Sequence, residues 1–333
     1  MDQIRFLIVR FSSIGDIVLT TPVVRMLKQQ VKGAEIHYLT KKRFSSLVEH
    51  NPYVHKVHVF DGDLKQTISD LKEAEFDYVI DLHKNLRSAR VKSSLGRVSF
   101  SFNKLNWKKW IYVQLKINKM PDKHIVDRYL ETTSLFDVKN DEKGLDYFPD
   151  PEYKLDFSLE KTHEEGYVVA VLGANHATKQ IPEEKMVSWL NEFGKPVVLV
   201  GGPDESTLAE LLKEKLAVPV QNACGKVSLD GSALLIKNAK VILTPDTGMM
   251  HIAAAYKKPI VSVWGNTTPQ LGMYPYMPQN SDRFYMAEVS GLKCRPCSKI
   301  GYEKCPKRHF NCMLQQDDKK IVSQLNYYWN LNE

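Results

Sequence analysis

Apolar residues along the first half of the chain come in short solid blocks separated by polar stretches of helical period. The first block, Ile4-Arg5-Phe6-Leu7-Ile8-Val9, breaks at Phe11-Ser12-Ser13-Ile14-Gly15-Asp16 and gives way to the helix-like Ile17-Val18-Leu19-Thr20-Thr21-Pro22. The pattern predicts strands at 4–10, 35–40, 55–60 and 77–82, with helices at 16–31, 43–50, 64–75 and 124–136 between or after them. Strand and helix in alternation define an α/β unit, a parallel sheet wrapped by helices. A polar, proline-bearing passage from Lys139 through Pro149-Asp150-Pro151 to about Glu165 reads as a linker. The alternation then restarts with blocks at 167–172, 196–200, 241–243 and 259–264, and the chain closes on a helical pattern from Asp317 to Asn330 that carries Ile321, Leu325 and Tyr328 at core spacing. The simplest assembly is two Rossmann-like, doubly wound domains facing a central cleft.

In such domains the carboxyl ends of strands and the N-termini of helices open onto one crevice, so Asp16, in the first turn after the first strand, points at a substrate. The competing reading is that Ser12, Ser13 or Asp16 only caps the helix. In the second half, Gly201-Gly202-Pro203-Asp204-Glu205 follows a strand, and its glycines permit close backbone approach. Thr244-Pro245-Asp246-Thr247-Gly248-Met249-Met250-His251 opens another helix, whose free N–H groups suit an anion. Asp246 would repel a diphosphate, so its side chain is expected to cap the helix and leave the phosphates to Thr247 and Gly248. His251 lies four residues after Thr247, on the same helical face. The segment Asp81-Leu82-His83-Lys84-Asn85-Leu86-Arg87-Ser88-Ala89-Arg90 also follows a strand. There Lys84, Arg87 and Arg90 are candidates to pair with carboxylates or phosphates of a second substrate, against the plainer account of a solvated basic helix face.

Composition narrows the classes. A length of 333 residues accommodates two domains, and 43% hydrophobic with 26% charged residues is the balance of a soluble globular protein. No apolar run approaches a membrane span and no leader pattern opens the chain, so a cytoplasmic location is expected. A formal charge of +7 favours anionic partners without choosing among nucleotide, phospholipid surface and nucleic acid. Neither G-x-G-x-x-G nor G-x-x-x-x-G-K-[ST] occurs in a strand-to-helix context, which counts against nicotinamide enzymes and P-loop NTPases, and His-Glu-x-x-His is absent as well. What remains is a nucleotide held in the C-terminal half and a second substrate in the N-terminal half, a description that fits nucleotide-sugar chemistry.

Three motifs in order, Arg10-Phe11-Ser12-Ser13-Ile14-Gly15-Asp16-Ile17-Val18-Leu19-Thr20-Thr21-Pro22, Gly201-Gly202-Pro203-Asp204-Glu205 and Asp246-Thr247-Gly248-Met249-Met250-His251, resemble glycosyltransferase family 9, the bacterial lipopolysaccharide heptosyltransferases. The resemblance runs from the first strand to about Met313. It implies the GT-B fold and an inverting, metal-independent transfer of heptose from ADP-heptose to an inner-core lipopolysaccharide acceptor. It further implies that Asp16 is the general base, set in a loop with Ser12, Ser13 and Gly15, and that Thr247, Gly248 and His251 form the donor-diphosphate corner beside Asp246. Thr178 and Lys179 match the family's basic donor contact, although Lys179-Gln180-Ile181-Pro182 lacks the usual Trp. Glu205 resembles the carboxylate that meets the donor's ribose or base.

By the same resemblance the domains run over 1–155 for the acceptor, 156–316 for the nucleotide sugar and 317–333 for a helix crossing back to brace the first. A lipid-linked acceptor would bring peripheral contact with the inner face of the cytoplasmic membrane. The stretch from Asn103 to Lys116 mixes Trp107, Trp110 and Tyr112 with lysines as an interfacial helix would, or as a helix packing its aromatics inward. No cofactor is expected. Cys294, Cys297, Cys305 and Cys312 have the ligand types of a structural zinc site but the spacing of no standard finger. Two other readings stand beside the transferase: a GT-B nucleotide-sugar 2-epimerase and, more remotely, a nucleic-acid-binding module.

Overall fold

The computed structural model describes residues 3–331 and divides into two compact units, one of residues up to 104 together with 123–151 and one of 105–122 together with 152 onward. The first unit contains β1 (Ile4–Val9), β2 (Ala34–Lys41), β3 (Lys56–Phe60), β4 (Tyr78–Asp81) and β5 (Val98–Ser101) in the order β3-β2-β1-β4-β5, every pair parallel. β1 is apolar because it lies in the middle: Phe6, Leu7, Ile8 and Val9 are all fully buried. Leu7 and Val9 pack with Leu39, Leu71, Phe76 and Val79 under the helices of one face.

The long helix expected over 16–31 is two helices, Ile14–Val18 and Thr21–Gln30. Pro22 has no N–H to give to Val18, and the Thr21 hydroxyl donates to that carbonyl instead at 2.7 Å. The expected 43–50 helix is a 3-10 turn, Lys42–Phe44, followed by Ser46–Glu49, and 124–136 is Ile125–Leu130 followed by a 3-10 stretch, Glu131–Phe136. Between Phe136 and Lys161 there is no helix or strand. Its first part is nonetheless anchored, because the buried Arg25 donates to Asp141 at 2.8 and 2.9 Å, donates to the Gly144 carbonyl at 2.9 Å and pairs with Asp146. The first unit therefore ends at Pro151, a few residues before the expected boundary.

The second unit contains β6 (Val168–Val171), β7 (Val197–Val200), β8 (Val220–Asn222), β9 (Val241–Pro245), β10 (Ile260–Trp264) and β11 (Phe284–Glu288) in the order β11-β10-β9-β6-β7-β8, again all parallel. The C-terminal helix Asp318–Asn330 buries Ile321, Val322, Leu325, Tyr328 and Trp329 in the same core as Trp189, Leu190 and Phe193. Asp318 fixes its start by accepting from Trp189 Nε1 at 2.7 Å and Lys185 Nζ at 2.8 Å. The expected plan set this helix apart as a third segment; its buried face is part of the second unit's core. Residues 105–122, expected in the first domain, also group with the second unit.

Candidate functional site

Strand order reverses between β1 and β4 in the first unit and between β6 and β9 in the second, the places where open parallel sheets receive ligands. At the first reversal Arg10, directly after β1, is 8% exposed and ties the corner together. Its Nε donates to the Ser12 carbonyl at 2.7 Å, and its Nη1 donates across to the Leu82 carbonyl after β4 at 2.5 Å and to the Tyr129 hydroxyl at 3.1 Å. Its Nη2 meets Asp16 Oδ1 at 2.6 Å. Burial by itself would lower the Arg10 pKa, but the Asp16 charge more than offsets it and the guanidinium is raised above its ordinary value. Asp16 Oδ2 accepts from the Ser13 hydroxyl at 2.8 Å and the Ser13 N–H at 3.3 Å. Asp16 is thus a carboxylate fixed at both oxygens, with 23% of its side chain open to solvent. The Ser12–Ser13 peptide is cis, and Gly15 is buried in the helix that carries Asp16.

Beside it, the buried Asp81 shapes the loop after β4. Its Oδ1 accepts from the His83 and Lys84 N–H groups at 3.0 and 2.7 Å, and its Oδ2 accepts from Ser88 Oγ at 2.9 Å and pairs with Lys92 at 3.1 Å. Lys84 is exposed, with a positive φ of 50°. Arg87 is half-buried and lies over the Phe60 and Phe11 rings at 4.5 and 5.2 Å, which places it next to the β1 loop. Arg90 is exposed one turn further along the same helix. His83 packs edge-on against Phe11, and burial, helped by Arg10 and Lys104, lowers its pKa to about 4, so it is neutral at pH 7. Arg10, Asp81 and His83 were not expected as site residues, although all three stand inside the motif stretches that carry Asp16 and Lys84.

At the second reversal Lys179, at the end of a 3-10 turn, places Nζ 2.7 Å from Asp246 Oδ2, and Thr267 Oγ1 donates to that oxygen at 2.8 Å. Asp246 therefore does not cap the following helix, as expected from sequence. Its charge is taken by Lys179, whose side chain is only 18% exposed. Thr247 is the N-cap residue of the helix Gly248–Ala255, and His251 is buried one turn in. Thr178 is buried and braces a loop: its N–H and hydroxyl donate to the Tyr302 carbonyl at 3.1 and 2.9 Å, and its Oγ accepts from the Tyr302 N–H at 2.8 Å. Glu205 Oε2 accepts from the Gly202 N–H at 2.8 Å, and its side chain packs so closely on Gly201 that a Cβ there would come within 2.9 Å. A Cβ on Gly173, two residues past β6, would lie 3.2 Å from the Glu205 carboxyl. The glycines at the ends of β6 and β7 thus make room for this carboxylate.

The cysteine-bearing segment is sewn onto this corner by Arg295, which donates to the carbonyls of Gly265 and Thr267 at 2.7 and 3.1 Å and pairs with Glu288 at 2.7 Å. Cys294 Sγ lies 3.8 Å from His309 Nε2, and Cys297 Sγ donates to the Cys294 carbonyl at 3.0 Å. Burial, with the neighbouring sulfurs, raises Cys297 to about 11 and Cys312 to about 12, so both stay protonated thiols at neutral pH. A tetrahedral thiolate site needs all its ligand atoms within mutual reach of one ion. Among the described residues, the one group of three or more ligand side chains that converges to within 4.8 Å is Glu35, His37 and His55. Cys294, Cys297, Cys305 and Cys312 do not converge in this way, and a structural zinc is not confirmed. The Glu35 group is an internal network: His37 bonds Glu35 and His58 at 2.8 Å each, and Arg5 lies 3.4 Å from Glu35.

Two parallel-sheet units, each with an anion-ready or carboxylate-bearing corner at its strand-order reversal, define an α/β protein of the GT-B fold. Solved structures bear this out. A glycosyltransferase family 9 protein from Veillonella parvula matches with a TM-score of 0.76 at 17% identity, covering 100% of this chain and 99% of that one. An Escherichia coli heptosyltransferase solved with ADP matches at 0.67 and 21% identity, covering 98% and 100%. In sequence, lipopolysaccharide heptosyltransferase 1 of Campylobacter coli is 26% identical over 285 residues, 78% of this chain and 83% of that protein. The model of glycosyltransferase family 9 (heptosyltransferase) matches residues 65–300, and the chain belongs to that family. It is a glycosyltransferase, which sets aside the epimerase and nucleic-acid readings.

Proposed function

We propose that the chain transfers heptose from ADP-heptose, with inversion and without a metal ion, to a lipid-linked inner-core lipopolysaccharide acceptor. The observation that carries this reading is the Asp16 carboxylate, held by Arg10 and Ser13 at the first unit's strand-order reversal with part of its surface open. An acceptor hydroxyl would lose its proton to Asp16 as its oxygen attacks the anomeric carbon from the face opposite the phosphate. The bond from that carbon to the phosphate oxygen breaks, and ADP leaves with the electron pair. Lys179 and the N–H groups of Thr247 and Gly248 would take up the charge of the departing diphosphate, the role a divalent cation fills elsewhere. Glu205 and His251 complete the donor side, while Lys84, Arg87 and Arg90 receive anionic groups of the acceptor.

The Campylobacter coli relative is a lipopolysaccharide heptosyltransferase, and the Escherichia coli neighbour carries ADP, which supports both substrate assignments. The enzyme is placed in the cytoplasm, in peripheral contact with the membrane that holds the acceptor; among the described residues no helix is long and apolar enough to cross it. The test is transfer in the presence of chelator from ADP-heptose to a purified core acceptor, with the product's anomeric configuration read by NMR. A product of inverted configuration is expected. Retained configuration, or activity abolished by chelator, would contradict the proposal.

A further inference from the structure

We infer that the helix Asn106–Leu115, with the turn after it, is a docking element for an anionic lipid bilayer. The inference rests on the lipid-linked acceptor proposed above only for its biological sense, because the surface itself is read from the chain. Among the ten residues of this helix only Val113 is buried. Trp107 is 70% exposed, Trp110 48% and Leu115 55%, and Ile117 beyond the helix end is 50% exposed. Trp107, Trp110 and the exposed Gln114 follow helical spacing, so they share one face, and the two indoles stack at 5.1 Å with planes 10° apart. This answers the question the sequence left open: the tryptophans point outward, where water gives them no compensation for their apolar area.

Charge selects the occupant. Within 105–122 the side chains charged at neutral pH are Lys108, Lys109, Lys116, Lys119 and Asp122, a strongly basic balance. Lys116 is committed to the carbonyls of Val113 and Pro296 at 2.6 and 2.7 Å, while Lys108 and Lys119 are exposed. Indoles at headgroup depth flanked by lysines are the signature of an interfacial helix on anionic lipid. A protein partner of this surface would need acidic groups matched to the lysines, whereas a phosphatidylglycerol surface supplies negative charge at any register.

Flotation of the full-length protein with vesicles of phosphatidylglycerol and phosphatidylcholine tests this, together with transfer to a deacylated, water-soluble acceptor. Wild type is expected to float with anionic vesicles, more weakly as salt rises, and not with pure phosphatidylcholine. W107S/W110S is expected to lose at least about tenfold in partitioning, and K108Q about fivefold, the worth of one lysine near an anionic surface. Transfer to the soluble acceptor should be unchanged in both variants. Absence of wild-type flotation, or a W107S/W110S variant that floats equally well, overturns the inference. So does loss of transfer to the soluble acceptor in the folded variant, which would make the face an acceptor subsite, or conversion of a lipid-free dimer to a monomer, which would make it a self-association surface. If flotation holds while no heptose transfer is found, the substrate assignment fails and the docking element stands.

Discussion

The pairing of Lys179 with Asp246 makes a donor-site prediction that a lone lysine would not make. Lys179 Nζ and Asp246 Oδ2 are 2.7 Å apart, with side chains only 18% and 11% exposed, so an incoming diphosphate would share the ammonium with the carboxylate. Lys179→Met removes a charged hydrogen bond to the phosphate, worth about 1.5–3 kcal/mol. It also leaves Asp246, held then by Thr267 alone, to repel the diphosphate by about another 1–2 kcal/mol at partly screened distances. ADP affinity should fall by roughly 70- to 5,000-fold. Asp246→Asn keeps a partner for Thr267 and releases Lys179, so ADP should bind at least as tightly as to wild type. The double variant should bind ADP about 5- to 30-fold more tightly than Lys179→Met alone, because the repulsion is gone. Calorimetric titration of the four proteins closes the cycle, with circular dichroism as the check on folding. A Lys179→Met variant within about threefold of wild type, or a double variant no tighter than the single, would mean that this ion pair does not set diphosphate affinity.

Thr178→Val keeps the volume but removes both hydroxyl contacts with Tyr302, so stability in urea should drop by about 1–3 kcal/mol while ADP affinity is retained. An equal loss of affinity would return Thr178 to the donor site. His58 is held neutral, its pKa lowered to about 4 by burial and by His37. The unfolded chain therefore takes up a proton first as pH falls, and stability that is complete above about 6.5 is lost between there and about 4. Melting temperatures across that range should fall less steeply in His58→Gln, and superimposable profiles would contradict this.

Much of the fold was legible because the central strands are buried on both faces and therefore read as solid apolar blocks. β5 and β8 were missed for the opposite reason. Both are short and lie at sheet edges, and Val98-Ser99-Phe100-Ser101 carries no solid apolar run, whereas β11, also at an edge, does carry one in Phe284-Tyr285-Met286-Ala287 and was overlooked. The terminal helix showed its apolar spacing plainly, but spacing names a buried face and not the surface that covers it. At the site, local sequence gave the turn that presents Asp16 and the helix start at Thr247. It did not give the pairs that hold them, since Arg10 reaches Leu82 and Lys179 reaches Asp246 only once the strands are side by side. The same limit explains why Asp246 was expected to cap its own helix: a nearby lysine from another loop is invisible to periodicity.

In the proposed mechanism Asp16 takes the acceptor's proton while Arg10 and Ser13 hold it in place. Asp16→Asn keeps the size and the Ser13 contact but cannot accept the proton, so turnover with ADP-heptose and acceptor should fall by roughly 10²- to 10⁴-fold. ADP affinity should be unchanged, since the donor is assigned to the other unit. A folded Asp16→Asn protein that transfers heptose at a near wild-type rate would contradict the claim and leave Asp16 a helix-capping residue.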